Sequence, residues 1–243
     1  MNTLPPEIVQ IILVESGELS VNSIMSFCHT NRQYLELCDD PKLWLSYIPI
    51  LESKADYDND GYLRDLEDIV NYEILPIVEY YQGRRGSWQE FAGNAFYMAV
   101  RSNKIIIITH ILDLIILSRY DISEFYQLIP TLVKNGHLFV VNAILFAYPS
   151  DVDLGAYLAS LYRFGYSEQV PIYFELSKDK NDAIEYAVME LTTSLSRNDL
   201  ERSLREFLKL IPNVRSYREA IVEGVHEADD EEMDIEEFVD RLF

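Results

Sequence analysis

The chain has 243 residues, of which 49% are hydrophobic and 25% charged, so it can bury a sizeable core and is not disordered as a whole. Its 41 acidic and 20 basic residues give a formal net charge of −21. Binding to a phosphate backbone or an anionic membrane needs clusters of lysine and arginine, so nucleic acid and membrane are poor candidates as partners. Only 9 glycines and 9 prolines argue against an all-β sandwich, and the helical spacing of the apolar residues predicts an all-α protein.

The N-terminal residues lack the basic segment of a signal peptide, and the longest apolar run, Ile105–Leu117, is interrupted by polar residues and cannot span a bilayer. We therefore expect a cytoplasmic or nuclear protein. Cys28 and Cys38 could form one disulfide, but a reducing compartment favours two buried thiols.

Residues 1–50 are predicted to form a module of four short helices. The first has its apolar face on Ile8, Ile11 and Ile12, and the fourth carries Leu43 and Trp44. A residue that can cap a helix N-terminus precedes each of the four: Thr3, Ser20, Thr30 and Asp40.

This module resembles the F-box motif. The resemblance lies in LPPEI at Leu4–Ile8, CHTNRQYLELCDD at Cys28–Asp40 and LW at Leu43–Trp44, in that order. F-box proteins dock their Leu-Pro segment and the following helices into the Skp-type adaptor of a cullin–RING ubiquitin ligase. The resemblance therefore implies a Skp-type partner and a docking face that includes Leu4, Pro5, Ile8, Ile11 and Ile12. The alternative is a capped helical subdomain that only begins the repeat array.

A repeat with a period near 30 residues follows the module. Its turns are anchored at Asn103, Gly136, Gly165 and Asp199, at intervals of 33, 29 and 34 residues. A short helical stretch precedes each anchor and an apolar helix follows it. Units this small cannot bury their own apolar faces, so we expect neighbouring units to stack into an α-solenoid.

One repeat resembles the second half of an ankyrin repeat. It runs from Asn135-Gly136-His137 through Val140-Val141 and Ile144-Leu145 to Asp151-Val152-Asp153. The Thr-Pro-Leu-His signature of an ankyrin first helix is absent from every unit, so the repeats are degenerate, and an unclassified helical array is the alternative. Chains that pair an F-box-like motif with weak ankyrin repeats are familiar among large DNA viruses, which would place this protein in a host cell.

The segment Asp56–Glu67 fits the twelve-residue pattern of an EF-hand loop. Gly61 stands where that loop turns sharply. Five residues would supply the oxygen ligands of a calcium ion: Asp56, Asp58, Asp60, Tyr62 and Glu67. The alternative is a solvated acidic linker, since the chain has no second EF-hand-like loop to pair with this one.

Residues 226–243 are strongly acidic, but Ile235, Phe238, Val239 and Leu242 form one apolar stripe on a helix. This pattern favours a helix that caps the last repeat, with an acidic helix offered to a basic groove as the alternative. The predicted organisation is then an F-box-like module (1–50), an acidic linker with a connecting helix (51–92), ankyrin-like repeats (93–225) and the C-terminal helix (226–243).

No catalytic motif stands out in the sequence. The four histidines are isolated, and no nucleophile elbow, phosphate-binding loop or dinucleotide-binding glycine pattern is present. We therefore expect no enzyme and no cofactor beyond calcium. The sequence favours an adaptor that recruits a Skp-type protein through the module and an unidentified target through the repeats. The alternative is a structural or assembly protein that uses the repeats as a scaffold without recruiting a ligase.

Overall fold

The structure is a computed structural model, which describes residues 8–9, 12–13, 19–30, 32–82, 88–118, 127–147, 154–228 and 235–243. All regular secondary structure in these ranges is helical, so the predicted all-α class is confirmed for them. The chain divides into two compact units, Met1–Tyr120 and Asp121–Phe243. This division does not coincide with the boundaries predicted at 50, 92 and 225.

The helices of the first unit are α1 Val21–Cys28, α2 Arg32–Cys38, α3 Pro41–Tyr57, α4 Asn59–Asn71, α5 Leu75–Gln82, α6 Trp88–Arg101 and α7 Ile105–Ser118. Helices α1, α2 and α3 match the second, third and fourth helices of the predicted module, and each packs on the next. Two of the predicted caps are present. The Ser20 side chain accepts from the Ser23 amide, and Asp40 accepts from the Lys42 amide.

The two cysteines correct the expectation of buried thiols. Cys28 at the end of α1 and Cys38 at the end of α2 are joined in a disulfide, with their Cα atoms 6.2 Å apart. Pairing of α1 with α2 brings the two Cα atoms within the range that a disulfide bridges. The prediction failed because it was based on the expected compartment and not on the distance between the two helix ends.

Four more helices complete the first unit. Helices α4 and α5 both pack on α3, and α6 and α7 form a hairpin in which α6 packs on α4 and α7 packs on α5. The region predicted to be an acidic linker with a connecting helix holds the end of α3, helices α4 and α5 and the start of α6.

The helices of the second unit are α8 Ile129–Lys134, α9 Leu138–Ala147, α10 Leu154–Arg163, α11 Val170–Leu176, α12 Lys180–Ser194, α13 Arg197–Leu208, α14 Arg218–Ala228 and α15 Ile235–Leu242. The first helices of its hairpins, α8, α10, α12 and α14, pack on one another in chain order. Each second helix, α9, α11, α13 or α15, packs on the first helix before it. Phe238, Val239 and Leu242 of the predicted C-terminal stripe are buried.

The same turn links four pairs of consecutive helices: α4 to α5, α6 to α7, α8 to α9 and α10 to α11. Its central residue has a positive φ, which is 56° at Glu73, 57° at Asn103, 79° at Gly136 and 86° at Gly165. The amide after this residue donates to the carbonyl five residues earlier, as His137 does to Leu132 at 2.8 Å. This is the Schellman arrangement, which satisfies carbonyl groups at a helix end. The predicted anchors at 103, 136 and 165 are confirmed as turn residues.

The fourth predicted anchor, Asp199, is not at a turn of this kind. It lies in the first turn of α13, where its carboxylate accepts from the Ser196 hydroxyl at 2.9 Å. Helix α12 instead ends in extended backbone at Leu195. Glu73, which was not among the predicted anchors, occupies the turn position between α4 and α5.

Two glycines allow the first helices of the second unit to approach closely. A Cβ added at Gly155 of α10 would lie 2.9 Å from the Ala183 carbonyl oxygen and 2.9 Å from the Ala187 amide nitrogen, both in α12. A Cβ at Gly224 of α14 would lie 2.4 Å from the Glu185 carbonyl oxygen, on another side of α12. Helix α12 is therefore held between two glycine contacts, and neither leaves space for a methyl group.

Candidate partner-binding surfaces

The predicted docking residues lie at the start of the chain. Leu4, Pro5 and Ile11 fall outside the described residues. Ile8 and Ile12 are described, and their side chains are 44% and 51% exposed. Their neighbours Val9 and Leu13 are buried. Two of the predicted docking residues in this segment are therefore exposed. The buried residues of the segment, Val9 and Leu13, were not among the predicted docking residues.

Two further leucines of the module are exposed. Leu35 lies on α2 and Leu45 on α3, and each exposes about two-fifths of its side chain. Leu45 follows Trp44, which is buried and donates from its indole nitrogen to the Cys38 carbonyl at 2.6 Å. Neither leucine was predicted, because the apolar pattern of a short helix does not show which residue faces outward.

A buried polar network joins the module to α4. Asp65 of α4 is 1% exposed, and its Oδ2 accepts from the Tyr47 hydroxyl at 2.7 Å and from Lys54 Nζ at 2.6 Å. Its Oδ1 accepts from the backbone amide of Val21, the first residue of α1, at 3.2 Å. One carboxylate therefore neutralises a lysine and ties α1 and α3 to α4.

The Tyr47 hydroxyl keeps its proton in this network. Burial raises the pKa of Tyr47 far above its ordinary value, and the hydrogen bond to the Asp65 carboxylate raises it further. The hydroxyl also lies 3.0 Å from the Leu19 carbonyl oxygen. The hydroxyl therefore acts as a hydrogen-bond donor within the network, and we assign the network a structural role.

The second unit exposes a set of large apolar side chains on two neighbouring second helices. We call this set the apolar face: Phe139 and Phe146 on α9, and Ile172 and Leu176 on α11. Between the two pairs, the Tyr173 hydroxyl donates to Asn142 Oδ1. Nothing in the sequence analysis marked this face, because Val140, Val141 and Ile144 of the same helix are equally apolar and are buried.

The predicted calcium ligands are not arranged as in a loop. Asp56 lies in the last turn of α3, whereas Asp60, Tyr62 and Glu67 lie within α4. Asp58 accepts from the Gly61 amide at 3.1 Å and so caps α4. Gly61 therefore sits in a helix and not at a sharp turn, which corrects the predicted loop conformation. Calcium binding would require the start of α4 to unwind, and it stays a prediction.

Carboxylates crowd together where α12 meets α14. Burial raises the pKa of Glu185, and the charges of Glu223, Glu227 and Asp182 raise it further. Even so, among the described residues no group of three or more histidines, cysteines and acidic residues is arranged to hold a metal ion. Within the same residues, no helix is both long and apolar enough to cross a membrane.

No protein-family model, curated protein or solved structure matches the chain.

Proposed function

We propose that the protein is a non-enzymatic adaptor that binds a Skp-type ligase adaptor through its F-box-like module and a target protein through its helical repeats. The observation that carries the proposal is the outward placement of Ile8 and Ile12 beside the buried Val9 and Leu13. The F-box resemblance assigns both isoleucines to the docking face, and docking requires them to be accessible.

The repeats support the second half of the proposal. In the second unit the first helices stack in chain order, with a second helix on each, as in helical repeat proteins. Turns with a residue of positive φ recur along the sequence at intervals of 30, 33 and 29 residues from Glu73 to Gly165. Stacked repeats of this kind present an extended surface, and such surfaces commonly bind other proteins. Ankyrin-like stacking and a C-terminal cap at α15 belong to this proposal.

The first test is co-elution of the full chain with a purified Skp-type adaptor in size-exclusion chromatography. We expect a complex with the wild type, and none with the double variant Ile8→Asp/Ile12→Asp, because two charges would be buried at the contact. The matched control is Ile106→Asp, since Ile106 of α7 is also 44% exposed but lies outside the module. Failure of the wild type to form a complex would refute the ligase half of the proposal.

One observation favours a second candidate, a structural or assembly protein in which the module only caps the repeats. Asp65 and its partners join the module to α4, and the Tyr72 hydroxyl donates to Asn22 Oδ1 at 2.8 Å across the same junction. A cap would make such contacts. Sedimentation velocity discriminates between the candidates: a stable homo-oligomer favours the scaffold, and a monomer that binds the Skp-type adaptor favours the ligase.

A further inference from the structure

We propose that the Cys28–Cys38 disulfide is a reversible redox site that holds α2 on the F-box-like module, so that its reduction releases α2 and weakens binding of the Skp-type adaptor. The release of α2 follows from contacts within the module. Only its effect on the adaptor rests on the proposed function.

Helix α2 is too short to be stable by itself. It spans seven residues, Arg32–Cys38, whereas isolated helices shorter than about 12 residues are marginal in water. Its order therefore depends on packing against α1 and α3, the helices before and after it. Among its described side chains Cys38 is the buried one. The others are half-buried or exposed: Arg32, Tyr34, Leu35, Glu36 and Leu37.

The disulfide supplies the main attachment of α2. It joins the buried Cys38 to Cys28, which is fully buried at the end of α1. Two other contacts remain when the bond is open. The rings of Phe27 and Tyr34 stack with centroids 4.6 Å apart, but both side chains are only half-buried. The Trp44 indole nitrogen donates to the Cys38 carbonyl at 2.6 Å, which holds the end of α2 and not its length.

The neighbouring helices do not depend on the disulfide in the same way. Helix α1 also buries Val21 and Ile24. Helix α3 buries five side chains: Leu43, Trp44, Tyr47, Ile48 and Leu51. Asp65 ties both helices to α4 through the Val21 amide and the Tyr47 hydroxyl. Reduction should therefore loosen α2 and leave the rest of the first unit folded, which is an order–disorder change of one segment.

The site opens and closes by thiol–disulfide exchange. On reduction, the thiolate of one glutathione attacks a cysteine sulfur, forms a mixed disulfide with it and releases the other cysteine as a thiol. A second glutathione then attacks the mixed disulfide. Two glutathione thiols thus become one glutathione disulfide, and the two cysteines gain two electrons and two protons. Oxidation reverses these steps. Because Cys28 is 0% and Cys38 6% exposed, attack requires α2 to move off α1, which couples reduction to release.

Release of α2 would change the surface that the module offers to the adaptor. The F-box resemblance places the helices after the Leu-Pro segment against the adaptor, and α2 exposes Leu35 there. A released segment has to become ordered again on binding, and the entropy lost in ordering it lowers the affinity. The oxidised protein should therefore be the form that binds more tightly.

The first test is hydrogen–deuterium exchange of the full-length chain at different ratios of reduced to oxidised glutathione. Maleimide labelling counts the free thiols in the same samples. As the cysteines become reduced, we expect the amides of α2 to exchange at least about tenfold faster and those of α6 to stay unchanged. Added oxidised glutathione should restore slow exchange. The matched control, Cys28→Ser/Cys38→Ser, should exchange at one rate whatever the ratio.

Three outcomes of this test would overturn the inference. Unchanged exchange of α2 after full reduction would mean that the remaining contacts hold the helix. Faster exchange of α6 together with α2 would mean that the bond holds the whole unit. Failure of thiols to appear in the folded protein would mean that the bond is not reversible.

The second test measures the affinity for the purified Skp-type adaptor in the oxidised and reduced states. We expect reduction to weaken binding by the wild type at least about tenfold and to leave that of Cys28→Ser/Cys38→Ser unchanged. Equal affinity of the two wild-type states, with α2 released in one, would overturn the effect on the adaptor. If neither state binds the adaptor but reduction still releases α2, the proposed function is refuted and the redox site stands.

Discussion

Replacement of Asp65 by alanine should lower the free energy of unfolding of the first unit by more than any substitution on its surface. The side chain is almost fully buried, and it accepts hydrogen bonds from Tyr47, Lys54 and the amide of Val21. Asp65→Ala removes all three acceptor contacts at once. It also leaves the Lys54 charge without its partner at the junction between the module and α4.

The expected magnitude follows from what each donor can do instead. The Tyr47 hydroxyl can turn to the Leu19 carbonyl at 3.0 Å, and Lys54, 21% exposed, can reach water. The amide of Val21 loses the Asp65 acceptor, and an unmet buried donor costs about 1–3 kcal/mol. Together with the weakened ion pair we expect a loss of about 3 kcal/mol in the free energy of unfolding, at the lower end of what breaking a buried pair costs.

Equilibrium denaturation in urea, followed by far-ultraviolet circular dichroism, measures the effect. The matched control is Glu67→Ala on the same helix. Its exposed carboxylate should change the free energy by less than about 0.5 kcal/mol. Asp65→Asn should lose less than Asp65→Ala, because one oxygen remains for the amide of Val21. If Asp65→Ala costs less than about 1 kcal/mol, the network does not hold the module to α4.

Three further predictions concern other contacts. Gly155→Ala should destabilise the second unit by about 1–3 kcal/mol in denaturant titrations, because the new methyl group would lie 2.9 Å from backbone atoms of α12. The pKa of Glu185 is raised in the folded state, so the folded state binds a proton at this carboxylate more readily than the unfolded state does. Protonation of Glu185 therefore stabilises the fold at acidic pH, and this stabilisation is lost as pH rises through the raised pKa. Mild acidification from pH 7 should therefore raise the melting temperature of the wild type more than that of Glu223→Gln, and equal shifts would contradict the assignment. Reduction of the disulfide should lower the free energy of unfolding by about 3 kcal/mol, because the unfolded chain gains the entropy of the opened loop. The same reductant should not change the stability of a Cys28→Ser/Cys38→Ser variant. An equal response of the two proteins would contradict this prediction.

The helical class and most turns of the hairpins were predictable from sequence because they depend on local chemistry. Gly136, Gly165 and Asn103 are residue types that adopt positive φ at low cost, and they follow helices whose apolar spacing is regular. Glu73 adopts the same conformation although glutamate is not a typical turn residue, so the turn between α4 and α5 was not predicted. Asp199 is a residue type that is common in turns, but here it lies in the first turn of α13, where its carboxylate accepts from the Ser196 hydroxyl.

The candidate surfaces were predictable only in part, because exposure depends on packing between distant segments. Ile8 and Ile12 were selected by a family resemblance, whereas the apolar face was identified only by the exposure of its side chains in the structure. In α9, Phe146 and Ile144 are two residues apart and equally apolar, and only the fold shows that one is exposed and the other buried. The spacing of the acidic residues in Asp56–Glu67 matches an EF-hand loop, but the same spacing also places Asp58 where it caps the N-terminus of α4.

The central claim is that the F-box-like module recruits a Skp-type adaptor through Ile8 and Ile12. Isothermal titration of the purified adaptor into the full-length chain tests it most directly. We predict saturable one-to-one binding that Ile8→Asp/Ile12→Asp abolishes and Ile106→Asp preserves. The absence of binding to the wild type, or equal binding by all three proteins, would contradict the claim.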